Sequence, residues 1–435
     1  MVSVGIWGGG REGQAAVADL LTKAPDAALV VVDENPDLTW PDLPATAQYH
    51  RGPDGLTALL GVDRVIVSPG IPAVHPFRAV LAERGIVTTS GTALWLADHW
   101  STTIGVSGTK GKSTTAALTA ALLTASGSPA RLAGNIGLAL LGLPDFAGTT
   151  VAELSSYQCD SIERSPKVAV ITNLFEEHLT WHGSLQAYWR AKCRLFDQGA
   201  ETLVADPETL DKIGRLGVGL PDQVVTPTEA VRQRIAAAVD AQPPDHLAAL
   251  FGAAHGRHNL ALALCAAEAA GHPVDPAGLA QVVVRFAALP HRQTLIGTVH
   301  GKTWYDDSLS TSAESAIAAL ETYADRPRVI LVGGLSRGIS YDGLNDYLLA
   351  QTEPPLVVTM PTNGREIVAR YEQTRPDRVA HGASLAEAVA LADALAPPRA
   401  AILLSPAAPS YDLYANHEAK SAEFVALVRR LDQAG

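Results

Sequence analysis

The stretch GVSGTKGKSTTAALTAALLTAS, residues 105–126, holds the strongest structural signal in the sequence. An apolar run typical of a β-strand leads into a glycine-rich turn, and a long helix with an apolar face follows. The backbone N–H groups of such a turn and the helix N-terminus form a concave anion site. Lys112 can neutralise phosphate oxygens, and Ser113 can hold Mg²⁺. The predicted nucleotide-phosphate loop comprises Gly108, Thr109, Lys110, Gly111, Lys112, Ser113 and Thr114.

Val106 stands where the strict G-x-x-x-x-G-K-S pattern has glycine. The alternative interpretation is a glycine-rich helix start whose lysine is solvated. The coincidence of strand, glycine turn, Lys-Ser-Thr and helix favours the phosphate loop.

The composition indicates an α/β protein of two or three domains, with 435 residues of which 47% are hydrophobic. The net charge is −12 without a basic run, so neither nucleic acid nor an anionic membrane is the expected partner. No apolar run approaches the roughly 18 residues of a membrane span, and we expect no signal peptide. The few, widely spaced cysteines suit a reducing compartment, which predicts the cytoplasm: Cys159, Cys193 and Cys265.

A second glycine motif lies near the N-terminus, in GIWGGGREGQ, residues 5–14. Gly8, Gly10 and Gly13 have the G-x-G-x-x-G spacing, and a second predicted strand ends in Asp33 and Glu34. Taken alone, this is the fingerprint of a dinucleotide-binding βαβ unit. An NAD-dependent oxidoreductase is therefore an alternative function, but it leaves the phosphate loop unexplained.

Short β-rich runs alternate with helical stretches along the whole chain, a pattern that predicts parallel sheets covered by helices. We predict an α/β protein of three domains. They are an N-terminal Rossmann-like domain (1–98), a central P-loop ATPase-like domain with a parallel sheet (99–287) and a C-terminal Rossmann-like domain (288–435).

Further polar residues follow predicted strands of the central domain. Glu153 ends the strand in VAELSSYQ, where a Mg²⁺ ligand is expected beside a phosphate loop. Asn135 lies between glycines in GNIG and can donate a hydrogen bond to a phosphate or carbonyl oxygen. His178 can bind metal or have a structural role, and Lys192 can be buried near the metal or solvated on its helix.

The motifs GTKGKST, ELSSYQ, NLFEEH and YWRAK resemble, in order and spacing, those of the Mur ligase family, the ATP-dependent amino-acid ligases of peptidoglycan precursor synthesis. The resemblance extends over nearly all of the chain. It implies two Mg²⁺ sites, held by Ser113, Glu153, His178 and Lys192, with Lys192 carbamylated by CO₂. The catalytic residues that it implies are Lys112, Asn135, Glu153, His178 and Lys192.

The resemblance also implies contacts with ATP from three later segments. GRHN (256–259) is similar to the family's adenine-binding helix and points to Asn259. Arg292 of LPHR would contact the phosphates, and Asp307 of YDDS would contact the ribose. The reaction implied is ligation of glutamate to UDP-N-acetylmuramoyl-L-alanine through an acyl phosphate.

Within this family the glutamate pocket would include Thr311 and Ser410. Leu309 and Arg337 stand where lysines are usual, and His417 replaces a phenylalanine. The loss of one ammonium group and the exchange of another for a planar guanidinium should relocate the side-chain carboxylate of the substrate. The segment DDSLSTSAES (306–315) resembles the branch that adds L-glutamate, which we favour over D-glutamate. That branch implies a companion epimerase, and we expect a monomer.

On this resemblance, the N-terminal glycine motif is expected to bind the UDP group of the precursor instead of NAD. The resemblance implies that the precursor contacts Gly10, Arg11, Glu12, Glu34, Asn35, Ser68, Gly70, Asn135, Ser156 and Gln158. A protein that binds ATP as a switch, without catalysis, is the remaining alternative from a different class.

Overall fold

The structure is a computed structural model, and each structural statement below concerns the residues that it describes. These are residues 3–36, 38, 47–176, 179–241, 251, 254–286, 291–336, 341–410, 413–414 and 416–434. Among them, no helix combines the length and apolar character needed to cross a membrane.

The N-terminal region forms a five-stranded parallel sheet in the order β3-β2-β1-β4-β5. Its strands are β1 (Val4–Trp7), β2 (Leu29–Asp33), β3 (Ala47–Arg51), β4 (Arg64–Val67) and β5 (Val87–Thr89). The accompanying α-helices are Arg11–Lys23, Pro76–Glu83 and Gly91–His99, with a 3₁₀-helix at Pro53–Gly61. The strand order reverses between β1 and β4, which opens a crevice at their carboxyl ends.

The central sheet has six parallel strands in the order β11-β10-β9-β6-β8-β7. The strands are β6 (Thr103–Ser107), β7 (Ala130–Gly134), β8 (Thr149–Glu153), β9 (Val168–Ile171), β10 (Thr202–Val204) and β11 (Gln223–Val225). The α-helices are Lys112–Ala125, Ser156–Cys159, Leu179–His182, Leu185–Asp197, Pro207–Arg215, Glu229–Asp240, Ala254–Ala269 and Pro276–Arg285. Short 3₁₀-helices lie at Trp100–Thr102 and Leu140–Gly142.

The C-terminal sheet has the order β12-β13-β17-β14-β15-β16, and only the β12–β13 edge is antiparallel. The strands are β12 (Thr294–Val299), β13 (Lys302–Asp306), β14 (Arg328–Val332), β15 (Leu356–Thr359), β16 (Val379–His381) and β17 (Ala401–Leu404). The α-helices are Ala313–Thr322, Asp342–Ala350, Gly364–Ile367, Ala369–Thr374, Leu385–Leu395 and His417–Ala434, with a 3₁₀-helix at Pro376–Arg378.

Side-chain caps explain where many of these helices begin. A side chain at the N-cap accepts a hydrogen bond from a backbone N–H in the first turn, which satisfies a group that the helix itself leaves unpaired. Ser155 and Ser312 form full capping boxes. The other capping residues are His75, Ser90, Ser184, Asp206, Thr228, Asp275 and Ser384.

The chain divides into two compact units, of which the first contains the N-terminal and central sheets and the second the C-terminal sheet. One apolar cluster runs through the first unit and includes Ala16 and Val17 of the first helix as well as Leu140 and Leu141 of the central region. The three α/β sheets, parallel except at one edge, confirm the predicted fold class.

Candidate functional site

The predicted phosphate loop lies at the carboxyl end of β6, and two of its glycines have no room for a side chain. Gly108 has φ +137°, and a Cβ there would lie 2.0 Å from Oγ1 of Thr172. Gly111 has φ +79°, and its Cβ would lie 2.4 Å from Oδ1 of the buried Asn259. Both the left-handed backbone and the close neighbours therefore require glycine.

Asn173, which follows β9, fixes the loop through three hydrogen bonds. Its carbonyl oxygen accepts from Thr109 N at 2.9 Å, and its Oδ1 accepts from Lys110 N at 2.8 Å. Its Nδ2 donates to Lys110 O at 3.0 Å. The sequence places Asn173 after a strand but assigns it no role. The structure reveals its contribution because β9 pairs directly with β6.

Two lysines donate to carbonyl oxygens of the same loop. Lys112 Nζ donates to Thr109 O at 2.9 Å, and Lys192 Nζ donates to Gly108 O at 2.6 Å. Lys192 is 1% exposed, and its Nζ lies 4.7 Å from the ring centre of Tyr188. Lys192 comes from the helix Leu185–Asp197, whose buried face includes both of these side chains. Of the two alternatives for Lys192, the structure thus shows a buried side chain.

Glu153 lies at the end of β8, in register with Val106 of β6, and is fully buried. Its Oε2 accepts from Asn135 Nδ2 at 3.2 Å, whereas no described residue gives its Oε1 a hydrogen bond. A buried carboxylate oxygen without a donor suits a hard cation, because oxygen ligands are those that Mg²⁺ prefers. Ser113, also buried, lies in the first turn of the helix behind the loop.

His178, the other predicted metal ligand, lies outside the described residues. Within the described part of the chain, no group of three or more His, Cys, Asp or Glu side chains could hold a metal ion. Glu153 Oε1 is thus the buried oxygen that suits a cation here. Thr114 follows Ser113 in the helix Lys112–Ala125.

The N-terminal glycine motif has the geometry that its spacing predicts. Gly8 has φ +100°, and a Cβ on Gly13 would lie 2.0 Å from Gly8 O, so strand and helix pack closely. Asp33 Oδ2 accepts from Gly9 N at 2.5 Å. Gly10 caps the helix, and a Cβ there would meet no neighbour within 4 Å.

Other predicted precursor contacts surround this motif. Glu34 accepts from Trp7 Nε1 at 3.1 Å and contacts His75 Nε2 at 3.2 Å. Asn35 N donates to Asp33 Oδ1 at 2.8 Å. Ser68, just after β4, donates to Gly8 O at 2.9 Å, and Gly70 follows in the same turn.

Arg11 and Glu12 reach from this motif to the central sheet, within the first unit. Arg11 donates to the carbonyl oxygens of Gly134, Asn135 and Gly137. Glu12 Oε1 accepts from Gln158 Nε2 at 2.8 Å, and burial raises the pKa of this carboxyl.

Ser156, the neighbouring predicted contact, is buried beside His182, with 3.0 Å between its Oγ and Nε2 of the ring. The structure therefore places in the first unit the residues predicted for the precursor, the phosphate loop and the described metal ligands Ser113, Glu153 and Lys192.

In the second unit, Asp307 is buried at the end of β13, where Ser310 and Ser405 donate to its Oδ2 at 2.5 and 2.7 Å. Gln293 N donates to its Oδ1 at 3.2 Å. Burial raises the pKa of Asp307 to about 6, against the opposing effect of these bonds and of the Arg292 charge. Arg292 Nε is itself buried and receives no partner from the described residues.

Two of the predicted glutamate contacts, Thr311 and Ser410, follow β13 and β17, which pair in parallel. Thr311 precedes the helix Ala313–Thr322, and the buried Ser410 follows β17. Ser410 Oγ bonds to no described residue. Burial and the neighbouring His291, whose ring centre is 5.3 Å away, lower the pKa of His417. Arg337 lies outside the described residues.

Comparison with known proteins identifies the family. Residues 106–211 match the sequence profile of the Mur ligase middle domain. The chain is 40% identical to the UDP-N-acetylmuramoyl-L-alanine--L-glutamate ligase of Micromonospora sp., over 100% of this chain and 97% of that relative. The chain belongs to the Mur ligase family. A ligase of the same name from Salinispora tropica is also 40% identical, over 99% of this chain and 98% of that relative.

Solved Mur ligase structures share the fold at low sequence identity. The MurF ligase of Thermotoga maritima, solved in complex with ADP, has a TM-score of 0.58 at 13% identity, over 100% of this chain and 96% of that chain. The UDP-N-acetylmuramate-alanine ligase MurC of the same organism also scores 0.58 at 13% identity, with 100% of both chains covered. These matches show the three-domain fold of Mur ligases, as the resemblance of the motifs predicts.

Proposed function

We propose that this Mur ligase joins L-glutamate to UDP-N-acetylmuramoyl-L-alanine while ATP is cleaved to ADP and phosphate, a step of peptidoglycan precursor synthesis. The observation that carries the proposal is the match along the full chain to relatives named for this pair of substrates. The order of motifs in the sequence and the phosphate loop at β6 agree with it. The site of action is the cytoplasm.

Hydrogen bonds and backbone conformation fix the phosphate loop that would bind ATP. Asn173 holds its backbone, and Gly108 and Gly111 adopt conformations that other residues resist. Lys112 carries a positive charge to the same loop, where it neutralises phosphate oxygens while the γ-phosphoryl group passes to the carboxylate of the precursor. Catalysis of this type depends on positioning and electrostatics.

Ser113, Glu153 and His178 would hold one Mg²⁺ ion, and the carbamylated Lys192 would hold a second. The ions supply positive charge that reduces the repulsion between ATP and the precursor carboxylate. Asn135 donates to Glu153 and so fixes the carboxylate whose second oxygen faces the proposed cation. The phosphates of ATP would thus be oriented by the loop backbone and Lys112, and the Glu153 carboxylate by Asn135, before the phosphoryl group is transferred.

Carbamylation explains how a lysine can serve at a buried cation site. The Lys192 side chain is 1% exposed, and burial of an ammonium ion is unfavourable unless it is paired. Carbamylation would join the Lys192 amine to CO₂ through a new N–C bond with release of a proton, and would leave a carboxylate on the side chain. The new anion suits Mg²⁺ better than the ammonium that it replaces.

The resemblance of the motifs assigns the remaining contacts with ATP and those with glutamate. Asn259 would face the adenine, while Arg292 and Asp307 would contact the phosphates and the ribose. Thr311, Arg337, Ser410 and His417 would bind glutamate. The domains proposed for precursor, ATP and glutamate are residues 1–98, 99–287 and 288–435. The enzyme would act as a monomer, with a companion epimerase that inverts the glutamate residue of the product.

A test of the proposal supplies the full chain with ATP, Mg²⁺, the precursor and each glutamate enantiomer, and follows release of phosphate. We expect turnover with L-glutamate and at most a few per cent of that rate with D-glutamate. Turnover with D-glutamate alone would overturn the choice of enantiomer. Nucleotide binding without turnover on any acceptor would point to an ATP switch, and reduction of NAD would point to the oxidoreductase.

Carbamylation has a separate test. We expect ¹³CO₂ to produce a carbamate signal in the NMR spectrum that is lost in Lys192→Ala and retained in Lys212→Ala, a lysine in an ion pair on the helix Pro207–Arg215. A carbamate signal that survives Lys192→Ala would show that the modification is elsewhere.

A further inference from the structure

Arg11 lies within the N-terminal glycine motif, between Gly10 and Gly13, and its guanidinium group is directed at the central sheet. It donates to Gly137 O at 3.0 Å, to Gly134 O at 3.2 Å and to Asn135 O at 2.9 Å. Gly134 ends β7, and Asn135 and Gly137 lie in the turn that follows it. A guanidinium group can serve several acceptors at fixed angles, so Arg11 restricts the position of this turn.

The turn held by Arg11 is the one that supports Glu153. Asn135 N donates to the backbone oxygen of Glu153 at 2.8 Å, and its side chain donates to the carboxylate at 3.2 Å. A Cβ on Gly134 would lie 2.3 Å from Glu153 O, so the turn packs against β8 without a gap. A displacement of the turn therefore displaces the donor that orients the Glu153 carboxylate.

Glu12 bonds to the segment that follows Glu153 along the chain. Its Oε1 accepts from Gln158 Nε2 at 2.8 Å. Gln158 in turn accepts from Ser155 N at 3.0 Å as part of the capping box of the helix Ser156–Cys159. This helix begins three residues after Glu153. Two adjacent residues of the glycine motif thus bond to two segments that adjoin Glu153, the end of β7 with its turn and the helix Ser156–Cys159.

We propose that Arg11 and Glu12 are positioning residues that link the N-terminal glycine motif to the Glu153–Asn135 pair, and that they couple binding at the motif to binding of Mg²⁺–nucleotide at the phosphate loop. The proposal rests on the proposed function for the identity of the two ligands. Coupling of this kind is reciprocal, so a ligand at either site changes the affinity at the other by the same factor.

The test measures binding of a non-hydrolysable ATP analogue to the full chain by calorimetry, with Mg²⁺ and with EDTA, in the absence of precursor. For Arg11→Gln we expect about tenfold weaker binding with Mg²⁺, because bonds from a charged donor are lost, and a change below about twofold with EDTA. Glu12→Gln should weaken Mg²⁺-dependent binding in the same direction. Lys23→Gln, at the far end of the same helix, is the matched control and should leave both affinities unchanged.

A second measurement uses UDP as the probe of the N-terminal site. With saturating UDP, the wild type should bind the Mg²⁺–analogue with altered affinity, and Arg11→Gln should lose that dependence. If Arg11→Gln weakens UDP binding but leaves Mg²⁺–analogue binding unchanged, Arg11 is a direct ligand contact and the proposal is wrong.

Should Arg11→Gln unfold, Arg11→Lys provides the same comparison, because it keeps the charge and loses the fork. Unchanged Mg²⁺–analogue binding in folded Arg11→Lys would equally overturn the proposal. None of these measurements requires turnover, so a failure of the proposed ligase reaction would be seen separately.

Discussion

Replacement of Gly111 by alanine tests how closely the phosphate loop is packed against the helix behind it. Gly111 has φ +79°, and a Cβ would lie 2.4 Å from Oδ1 of Asn259, which is 6% exposed. The left-handed backbone costs alanine about 1–2 kcal/mol. Displacement of the buried Asn259 side chain adds about 1–3 kcal/mol. We expect Gly111→Ala to destabilise the first unit by about 2–5 kcal/mol in total.

Gly127 supplies the matched control, because it separates the two contributions. It has φ +78° just beyond the other end of the same helix, and a Cβ there would meet nothing within 4 Å. Gly127→Ala should therefore show the backbone contribution alone. The double variant Gly111→Ala/Asn259→Ala, compared with Asn259→Ala, should recover most of the packing contribution.

The assay is the midpoint of thermal unfolding, for which 1 kcal/mol corresponds to roughly 2–4 °C in domains of about 150–250 residues. Binding of an ATP analogue, measured beside it, should be lost in Gly111→Ala and retained in Gly127→Ala. Equal shifts of the midpoint in Gly111→Ala and Gly127→Ala would refute the reasoning, since the contact with Asn259 would then contribute nothing.

Three further predictions follow from the contacts and burial described above. Asn173→Ala removes two side-chain hydrogen bonds from the phosphate loop, so calorimetry should show about tenfold weaker nucleotide binding. Equal affinity in the variant would show that these two bonds do not determine the conformation of the loop. Folding raises the pKa of Asp307 from 3.8 to about 6, so the free energy of unfolding should fall as pH rises between these two values. The unfolding midpoint of Asp307→Asn should not show this decrease. Burial raises the pKa of the three thiols, to about 11 for Cys159, about 12 for Cys193 and about 11 for Cys265. A thiol reagent at pH 8 should therefore label none of the three in the folded protein and all of them after denaturation.

The phosphate loop could be predicted from sequence because its determinants are local. A strand, two glycines with positive φ and a Lys-Ser-Thr helix start occupy consecutive positions, and each has a strong conformational preference. The same holds for the α/β class, since alternation of strands and capped helices is visible in short windows. The N-terminal motif also belongs to this group, because Gly8 and Gly13 meet within one strand–helix turn.

Contacts between distant segments could not be predicted in this way. Asn173 clamps Thr109 and Lys110 only because β9 pairs with β6, and sequence spacing does not reveal which strands are neighbours. Arg11 illustrates the limit further, since its partners lie more than 120 residues along the chain. From the sequence, Arg11 is expected only near the precursor.

The chain alone thus determines the class of fold, the position of the phosphate loop and the residue types available for metal and phosphate. These depend on backbone preferences and on hydrophobic patterns that act over a few residues. Only the tertiary structure decides that Lys192 is buried against Gly108 and that Glu153 keeps one oxygen without a donor among the described residues. Burial and hydrogen-bond satisfaction depend on which strands and helices pack together, and packing joins residues that the sequence keeps far apart.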